Sequence, residues 1–269
     1  MQDLFRNFSR CGVDYLLIGG QATVVYGAAQ FTQDFDVWVR PTRKNLEALL
    51  RALSRSGARV HKLTPPVTVR NARRGHGFPF VVPSPRSAPV PLDVMGCPPR
   101  VGGFVSAKRR SALTATPWGR VPVVSAEDLV RLKRTNRPGD YEVIARLVRL
   151  RLDSTPRPSR GLLAWAVENT LDLEALISLV EKHAASIART GKALPETALR
   201  LARRFVDGPP PSRADLLLAE RDVLRRLSAA IRAGREYWIP ILRELREMRT
   251  RGVLIPEGMA VRDLPGRNG

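Results

Sequence analysis

The chain has 269 residues, a hydrophobic content of 43% and a formal net charge of +20. Its longest apolar runs are much shorter than the ~20 residues of a membrane-spanning helix, and the first ten residues lack the apolar core of a signal peptide. Its two cysteines, Cys11 and Cys97, exclude a disulfide framework and lack metal-site spacing. We therefore expect a folded cytoplasmic protein with no membrane partner.

Short strands and helices alternate through the first 150 residues, which is typical of an α/β fold. Thr42 is the predicted N-cap of a helix that begins at residue 43. Apolar periodicity with glycine and proline punctuation predicts helices at 2–10, 21–29, 43–57, 126–135 and 139–152, and strands at 13–20, 34–40, 58–63, 67–72, 78–82, 91–96 and 116–125.

A shift in composition marks a domain boundary. Residues 153–161, DSTPRPSRG, are rich in proline and serine, which is typical of a linker. Beyond them, apolar residues recur at spacings of three and four, as in amphipathic helices, with a break at 207–212. We therefore predict an α/β domain at 1–153 and an all-helical domain at 161–269.

The positive charge is concentrated in the middle of the sequence. Residues 1–50 have five basic and five acidic residues, whereas residues 51–150 carry +14 of the total. Arginine outnumbers lysine 39 to 6, as a GC-rich genome would produce, but coding bias does not explain why Asp93 is the only acid in 51–100. A basic surface of this size favours a polyanionic partner, nucleic acid above all.

The segment LLIGGQATVVYGAAQFTQDFDVWVR, residues 16–40, carries two aspartates on one predicted strand. Asp34 and Asp36 are two positions apart, so they project from the same face of the strand. Two carboxylates side by side repel each other unless a cation lies between them, and this spacing therefore indicates a metal site. Mg²⁺ suits the site because it binds hard oxygen ligands and keeps substrate phosphates in its shell.

Two further features complete this pattern. The turn at Gly19 and Gly20 lets backbone approach a phosphate closely, and the helix predicted after it presents free N–H groups. Asp93 is an isolated acid on an apolar predicted strand, and it is our candidate for a third carboxylate that orients or deprotonates an attacking hydroxyl. Strand order decides whether Asp93 reaches the other two.

With these residues, the sequence resembles the DNA polymerase β-like nucleotidyltransferase superfamily over about residues 13–150. That family's signature is an apolar residue, Gly, Gly or Ser, a spacer, then Asp-apolar-Asp-apolar. Here Ile18-Gly19-Gly20 is followed by thirteen residues and by Asp34-Phe35-Asp36-Val37. The segments GGQATVVYGAAQFTQDFD and LVRLKRTNRPGDYEVIARL are similar to those of a bacterial branch that includes the AbiEii-type toxins.

The resemblance implies a mixed sheet with flanking helices, a C-terminal all-α domain and a set of roles. Asp34, Asp36 and Asp93 would bind Mg²⁺ and act in catalysis, and Gly19, Gly20 and Gln21 would contact the triphosphate of an NTP substrate. Lys133 would contact the nucleotide phosphates, supported by Arg137 and Asp140. The sequence departs from the family pattern at Gln30, Gly139 and Val143.

The implied reaction is transfer of a nucleoside monophosphate from an NTP to an acceptor hydroxyl. The charge and the toxin-like branch favour RNA as the acceptor, with the tRNA 3′ end as our specific expectation and a protein antitoxin as a possible partner. Two alternatives stay open: a nucleotidyltransferase for a small molecule such as an antibiotic, and a non-catalytic nucleic-acid-binding toxin–antitoxin component.

Several residues also have ordinary structural explanations. Asp34 and Asp36 could be a solvated or capping pair, and Asp93 could form a salt bridge to an arginine. Arg137 and Asp140 could simply pair with each other. His61, His76 and His183 lack the spacing of a metal site, and we expect them at the surface.

Overall fold

A computed structural model describes residues 1–84, 88–189 and 194–264. Contacts divide the chain into one unit comprising residues 1–132 and 237–269 and a second comprising residues 133–236. The predicted domain boundary at 153–161 lies inside the second unit, between two of its helices. No helix in the described ranges combines the length and the apolarity that crossing a membrane takes.

The first unit is built on a mixed seven-stranded sheet. The strands are β1 Tyr15–Ile18, β2 Phe35–Val39, β3 Arg59–Val60, β4 Gly77–Val82, β5 Val90–Met95, β6 Ala112–Thr116 and β7 Gly119–Val123. Their order in the sheet is β3-β4-β5-β2-β1-β7-β6. Strand β1 is antiparallel to β2 and parallel to β7, β2 is parallel to β5, and the remaining pairs are antiparallel. The α/β class with a mixed sheet and flanking helices is thus confirmed.

Helices flank this sheet, and the central strands are buried between them. All four residues of β1 are buried, which explains why its sequence is a continuous apolar run rather than an alternating one. Trp38 on β2 is almost fully buried, and its indole N–H donates to the Gly96 carbonyl at 3.0 Å. The helices are α1 Gln2–Cys11, α2 Gly19–Val25, α3 Arg43–Arg55, α4 Val69–Arg73, α5 Phe104–Arg110 and α6 Ala126–Lys133.

The strand predicted at 67–72 is wrong, because this segment forms α4. The Thr68 side chain accepts a hydrogen bond from the Asn71 backbone N–H at 3.2 Å, so Thr68 is the N-cap of a short helix. Its alternating valines resemble a strand, but the cap determines the local conformation.

The helix α5 and the strand β6 were not predicted. Most residues of β6 are exposed, which removes the apolar pattern of a strand.

The end of the chain returns to the first unit. Residues 255 and 260 form antiparallel bridges to Thr64 and Arg59, and a 3₁₀ helix follows at Val261–Asp263. His76, expected at the surface, is fully buried, and its Nε2 lies 2.9 Å from Glu244 Oε2. That expectation is wrong because a carboxylate distant in sequence meets the imidazole inside the fold.

The second unit is helical. Buried leucine, valine and alanine side chains of its helices form the core, as the spacing of three and four predicts. The last helix begins in this unit and ends in the first as a C-terminal helix. The helices are α7 Gly139–Asp153, α8 Arg160–Asn169, α9 Leu173–Lys182, α10 Ala184–Ala188, α11 Glu196–Asp207 and α12 Arg213–Thr250.

Candidate active site

Strand order brings two of the predicted carboxylates together. Strands β2 and β5 are parallel neighbours, and Asp36 lies directly opposite Asp93 in their register. Paired residues on neighbouring strands, which lie about 4.8 Å apart, project from the same face of the sheet. Asp36 is partly buried, whereas Asp93 is exposed. The isolated acid of the basic segment therefore meets the Asp-x-Asp strand.

Asp34 immediately precedes β2 and is exposed. Burial of the Asp93 carboxyl among protein atoms is the main cause that raises the pKa of Asp93. The negative charge of Asp34 adds to that effect. The nearby positive charge of Lys62, and to a smaller extent that of His61, opposes the rise. Asp93 is open at the surface, but the sheet around its carboxyl still displaces part of its hydration. The carboxylates of Asp34 and Asp93 therefore lie close enough to repel each other.

Lys62 and His61 were not predicted as part of this site. The His61 backbone N–H donates to the Pro79 carbonyl at 3.0 Å, and Pro79 lies opposite Asp93 in the β4–β5 register. Two successive strand pairings therefore bring these basic side chains close to the Asp93 carboxylate. Only the nonlocal pairing of β3, β4 and β5 could have indicated that Lys62 and His61 lie near Asp93.

The glycine turn packs against Asp36. A Cβ atom added to Gly19 would lie 1.9 Å from Asp36 Oδ2, and Gly19 has a φ of +65°. The Gly20 backbone N–H donates to the same carboxylate oxygen at 3.3 Å. Glycine is therefore required at position 19 on two counts, close approach and a left-handed backbone. This turn was predicted to face a phosphate, but here its backbone packs against the Asp36 carboxylate.

The loop ahead of Asp34 is tied to the start of α2. Gln21 is buried, and its Nε2 donates to the Thr32 carbonyl at 2.9 Å. A Cβ atom on Gly20 would lie 2.7 Å from Thr32 Oγ1. Gln21, predicted to contact a triphosphate, therefore has its amide nitrogen engaged in positioning the loop that leads into the carboxylates.

Lys133, Arg137 and Asp140 form a separate group in the second unit. Asp140 is buried in the first turn of α7, and it accepts hydrogen bonds from Lys133 Nζ at 3.1 Å and from Arg137 Nε at 3.2 Å. The Thr135 hydroxyl also donates to Asp140. The pairing of Arg137 with Asp140, left open from the sequence, is thus present, and Lys133 takes part in it. Contact of these cations with phosphates stays a prediction.

The carboxylates have the donor chemistry that Mg²⁺ requires, since all of their ligating atoms are hard oxygens. Across residues 1–84, 88–189 and 194–264, no three His, Cys, Asp or Glu side chains already stand close enough together to hold one ion. Asp34, Asp36 and Asp93 therefore do not form a three-ligand group in this arrangement, and their joint ligation of Mg²⁺ stays a prediction. The backbone register and the repulsion between Asp34 and Asp93 both fit a cation between them.

No protein-family model matches this sequence, and no curated protein is similar enough to it to count as a match.

Proposed function

We propose that this protein is a Mg²⁺-dependent nucleotidyltransferase of the polymerase β-like type. It would transfer a nucleoside monophosphate from an NTP to an acceptor hydroxyl and release pyrophosphate. The observation that supports this most is the register of Asp36 with Asp93, because it adds a third carboxylate to the pair on and before β2. The resemblance of the Gly-Gly and Asp-x-Asp segments supplies the reaction class.

In this proposal Asp34, Asp36 and Asp93 would hold Mg²⁺. When bound, the metal would neutralise the charge of the triphosphate and stabilise the charge that develops during an in-line displacement. The chain's own residues would position the reactants. Asp93 would orient the attacking hydroxyl, and the turn at Gly19 and Gly20, which packs against Asp36, would hold that carboxylate in position.

The acceptor in this proposal is RNA, with the tRNA 3′ end as the specific candidate. Its support is the +14 balance of residues 51–150, the segment that contains Asp93. Basic side chains attract the phosphate backbone of a nucleic acid over a range that salt screens. An antibiotic with several positive charges would be repelled by the same side chains. A role as a toxin with a protein antitoxin rests on the resemblance alone.

Transfer of label to total tRNA tests the proposal. Each α-³²P-labelled NTP is incubated with the protein, Mg²⁺ and tRNA, and the wild type is compared with Asp34→Ala/Asp36→Ala. Because even the outer partners of a bound metal are worth ~10–100-fold in activity, loss of two ligands should abolish labelling. A matched control is Asp3→Ala/Glu47→Ala, which removes two solvent-exposed carboxylates from α1 and α3.

Labelled tRNA in the wild type and the control, and its absence in the double variant, is the expected result. Equal labelling by the double variant would refute the assigned site. Tight tRNA binding without label from any of the four NTPs would refute the activity and favour the non-catalytic alternative.

A further inference from the structure

A groove with a volume of about 630 Å³ lies between α4 and the C-terminal end of α12, which both belong to the first unit. The residues that line one wall fall within 66–74, and those that line the other fall within 243–253. Both stretches lie wholly in the described ranges. We call this feature the α4–α12 groove. It is distinct from the candidate active site, because Asp34, Asp36 and Asp93 do not line it.

Four arginines line the α4–α12 groove, two on each wall. Arg70 and Arg74 lie on the first wall, and Arg243 and Arg251 lie on the second. All four are exposed, so the groove is open at the surface. Arg74 pairs with Glu244, with 2.6 Å between Nη2 and Oε1. The other three arginines form no ion pair with any residue in the described ranges, which leaves their guanidinium groups available to a ligand.

The acids of the groove do not balance these arginines. Two glutamates line it, Glu244 and Glu247. Glu244 is already engaged, since one carboxylate oxygen contacts Arg74 and the other lies 2.9 Å from Nε2 of buried His76. Glu247 is four residues from an arginine on either side but pairs with neither in the described part of the chain. Three unpaired arginines therefore face one unpaired acid, and the groove has an excess of positive charge.

The two walls are held in place by contacts of their own. The ion pair to Glu244 crosses from one wall to the other. Close to the groove, Thr64 and Ile255 exchange two backbone hydrogen bonds of 3.1 and 2.7 Å. Within the first wall, the side chain of buried Asn71 donates to the Pro66 carbonyl at 2.8 Å. A preorganised surface loses less conformational entropy when a ligand binds.

The chemistry of the groove favours a phosphodiester chain. A planar guanidinium group binds phosphate through two parallel hydrogen bonds, and arginine is therefore over-represented at such sites. One small anion would meet the carboxylate of Glu247 as well as the arginines, whereas a chain with spaced charges can place them at the arginines alone. The net charge of +20 attracts the same polyanion from a distance.

A short stretch of chain connects the groove to the candidate active site. Lys62, whose positive charge acts on Asp93, is four residues before Pro66, which lines the groove. Four residues of fully extended chain span at most ~14 Å. The groove and the Asp93 carboxylate are therefore neighbouring features of the first unit, close enough for one polymer to contact both.

We propose that the α4–α12 groove binds the phosphodiester backbone of RNA, with Arg70 and Arg243 contacting phosphates from opposite walls. This inference rests on the proposed function for the identity of the polymer as RNA, and it adds the surface that holds the acceptor. Contacts to phosphates position a nucleic acid without reading its sequence. The groove would therefore hold the body of the RNA while its reacting end lies at the carboxylates.

Binding of a fluorescein-labelled tRNA transcript, followed by fluorescence anisotropy over a range of KCl concentrations, tests the groove. Arg70→Ala/Arg243→Ala removes one arginine from each wall. Each lost phosphate contact lowers the slope of log affinity against log salt by ~0.7–0.9. The double variant should therefore lose ~1.4–1.8 in slope and bind tRNA ~10–30-fold more weakly at ~0.15 M salt. Both arginines are exposed and unpaired among the described residues, so the fold should persist, and urea unfolding checks this.

Arg73→Ala/Arg249→Ala is the matched control. Arg73 on α4 and Arg249 on α12 are exposed, and neither lines the groove. This variant has the same net charge as the test variant, but it keeps every arginine of the groove. Because salt screens charges that make no contact with the ligand, the control should keep the wild-type slope and bind tRNA within about three-fold of the wild type.

Three results would overturn the inference. Equal weakening of the two double variants would show that only net charge matters, and wild-type affinity in both would show that RNA binds elsewhere. Unlabelled DNA duplex or poly-glutamate that displaces the tRNA as well as unlabelled tRNA does would overturn RNA as the occupant of the groove.

The labelling assay separates this inference from the function on which it rests. If tRNA binding depends on Arg70 and Arg243 but no NTP gives labelled tRNA, the groove stands and the nucleotidyltransferase proposal fails. If the wild type labels tRNA and Arg70→Ala/Arg243→Ala does so with an unchanged KM for tRNA, the function stands and the groove is refuted. A raised KM for tRNA in this variant alone is the expected result.

Discussion

Asp36 and Asp93 lie opposite each other on the parallel strands β2 and β5, although more than fifty residues separate them in the chain. The glycine pair at the start of α2 packs against Asp36, and the charge of Asp34 acts on Asp93. Three acidic side chains and a bare backbone turn therefore lie at one end of the sheet. Each contact leads to a measurable consequence.

Gly19→Ala should cost both stability and activity. The added Cβ would overlap the Asp36 carboxylate at 1.9 Å, and the φ of +65° disfavours any other residue. Gly27→Ala is the matched control, because Gly27 has a φ of +77° but nothing within 4 Å of its Cβ position. The left-handed backbone should cost ~1–2 kcal/mol in both variants, and the overlap a further ~1–3 kcal/mol at position 19. Urea unfolding and the tRNA labelling assay measure the two effects, and equal losses in both variants would contradict this contact.

Asp93→Asn should stabilise the metal-free protein while it abolishes labelling. Desolvation and the Asp34 charge raise the pKa of Asp93, so the native state holds this proton more tightly than the unfolded state. The free energy of unfolding that this group contributes therefore falls as pH rises from the unfolded pKa through the folded one, and it stays lower at neutral pH. The neutral amide avoids that penalty.

The measurement is urea unfolding of both proteins in EDTA between pH 3 and 8. The difference between Asp93→Asn and the wild type should grow as pH rises and then level off. Asp34→Asn should give a smaller change in the same direction, since it removes only one of the two causes. A difference that does not depend on pH would contradict the pKa shift.

Glu244→Ala should loosen the end of α12 that belongs to the first unit. The Glu244 carboxylate contacts buried His76 Nε2 at 2.9 Å and Arg74 Nη2 at 2.6 Å. Loss of a hydrogen bond with a charged group costs ~1.5–3 kcal/mol. Glu247→Ala, one turn further along the same helix and exposed, is the control. Hydrogen exchange of residues 240–250 should rise in the first variant only, and equal exchange in both would argue against the buried contact.

Asp128→Asn should destabilise the protein by ~1.5–3 kcal/mol, because the buried carboxylate loses charged hydrogen bonds while its two arginines stay in contact with solvent. Its fully buried carboxylate lies 2.6 Å from Arg110 Nη2 and 3.1 Å from Arg131 Nη1. The comparison is Glu47→Gln, whose pair with Arg43 is exposed and is therefore worth only ~0–1 kcal/mol. Denaturant unfolding gives both values, and an equal loss in the two variants would contradict the larger contribution of Asp128.

Local patterns in the sequence were enough to predict most of the elements that carry the candidate site. The apolar run of β1, the glycines after it and the mostly apolar residues of β2 are short-range signals of local conformation. Where a different local signal was stronger, prediction failed. The Thr68 side chain caps a helix over a segment whose valines alternate like those of a strand.

Local sequence patterns could not predict the burial of His76 or the charges around Asp93. His76 meets Glu244 from the opposite end of the chain, and Lys62 reaches Asp93 through β3, β4 and β5. These contacts depend on which elements pack together, and no periodicity within one segment carries that information.

The sequence by itself determined an α/β protein, a strand that carries Asp36, and a glycine pair that follows the first buried strand. These follow from strand periodicity and backbone conformation, which act over a few residues. Only the tertiary structure decided that β5 pairs with β2 and that Asp93 lies opposite Asp36. Strand pairing is a nonlocal choice made by hydrogen bonding and burial of the whole sheet, so it is absent from any single stretch of sequence.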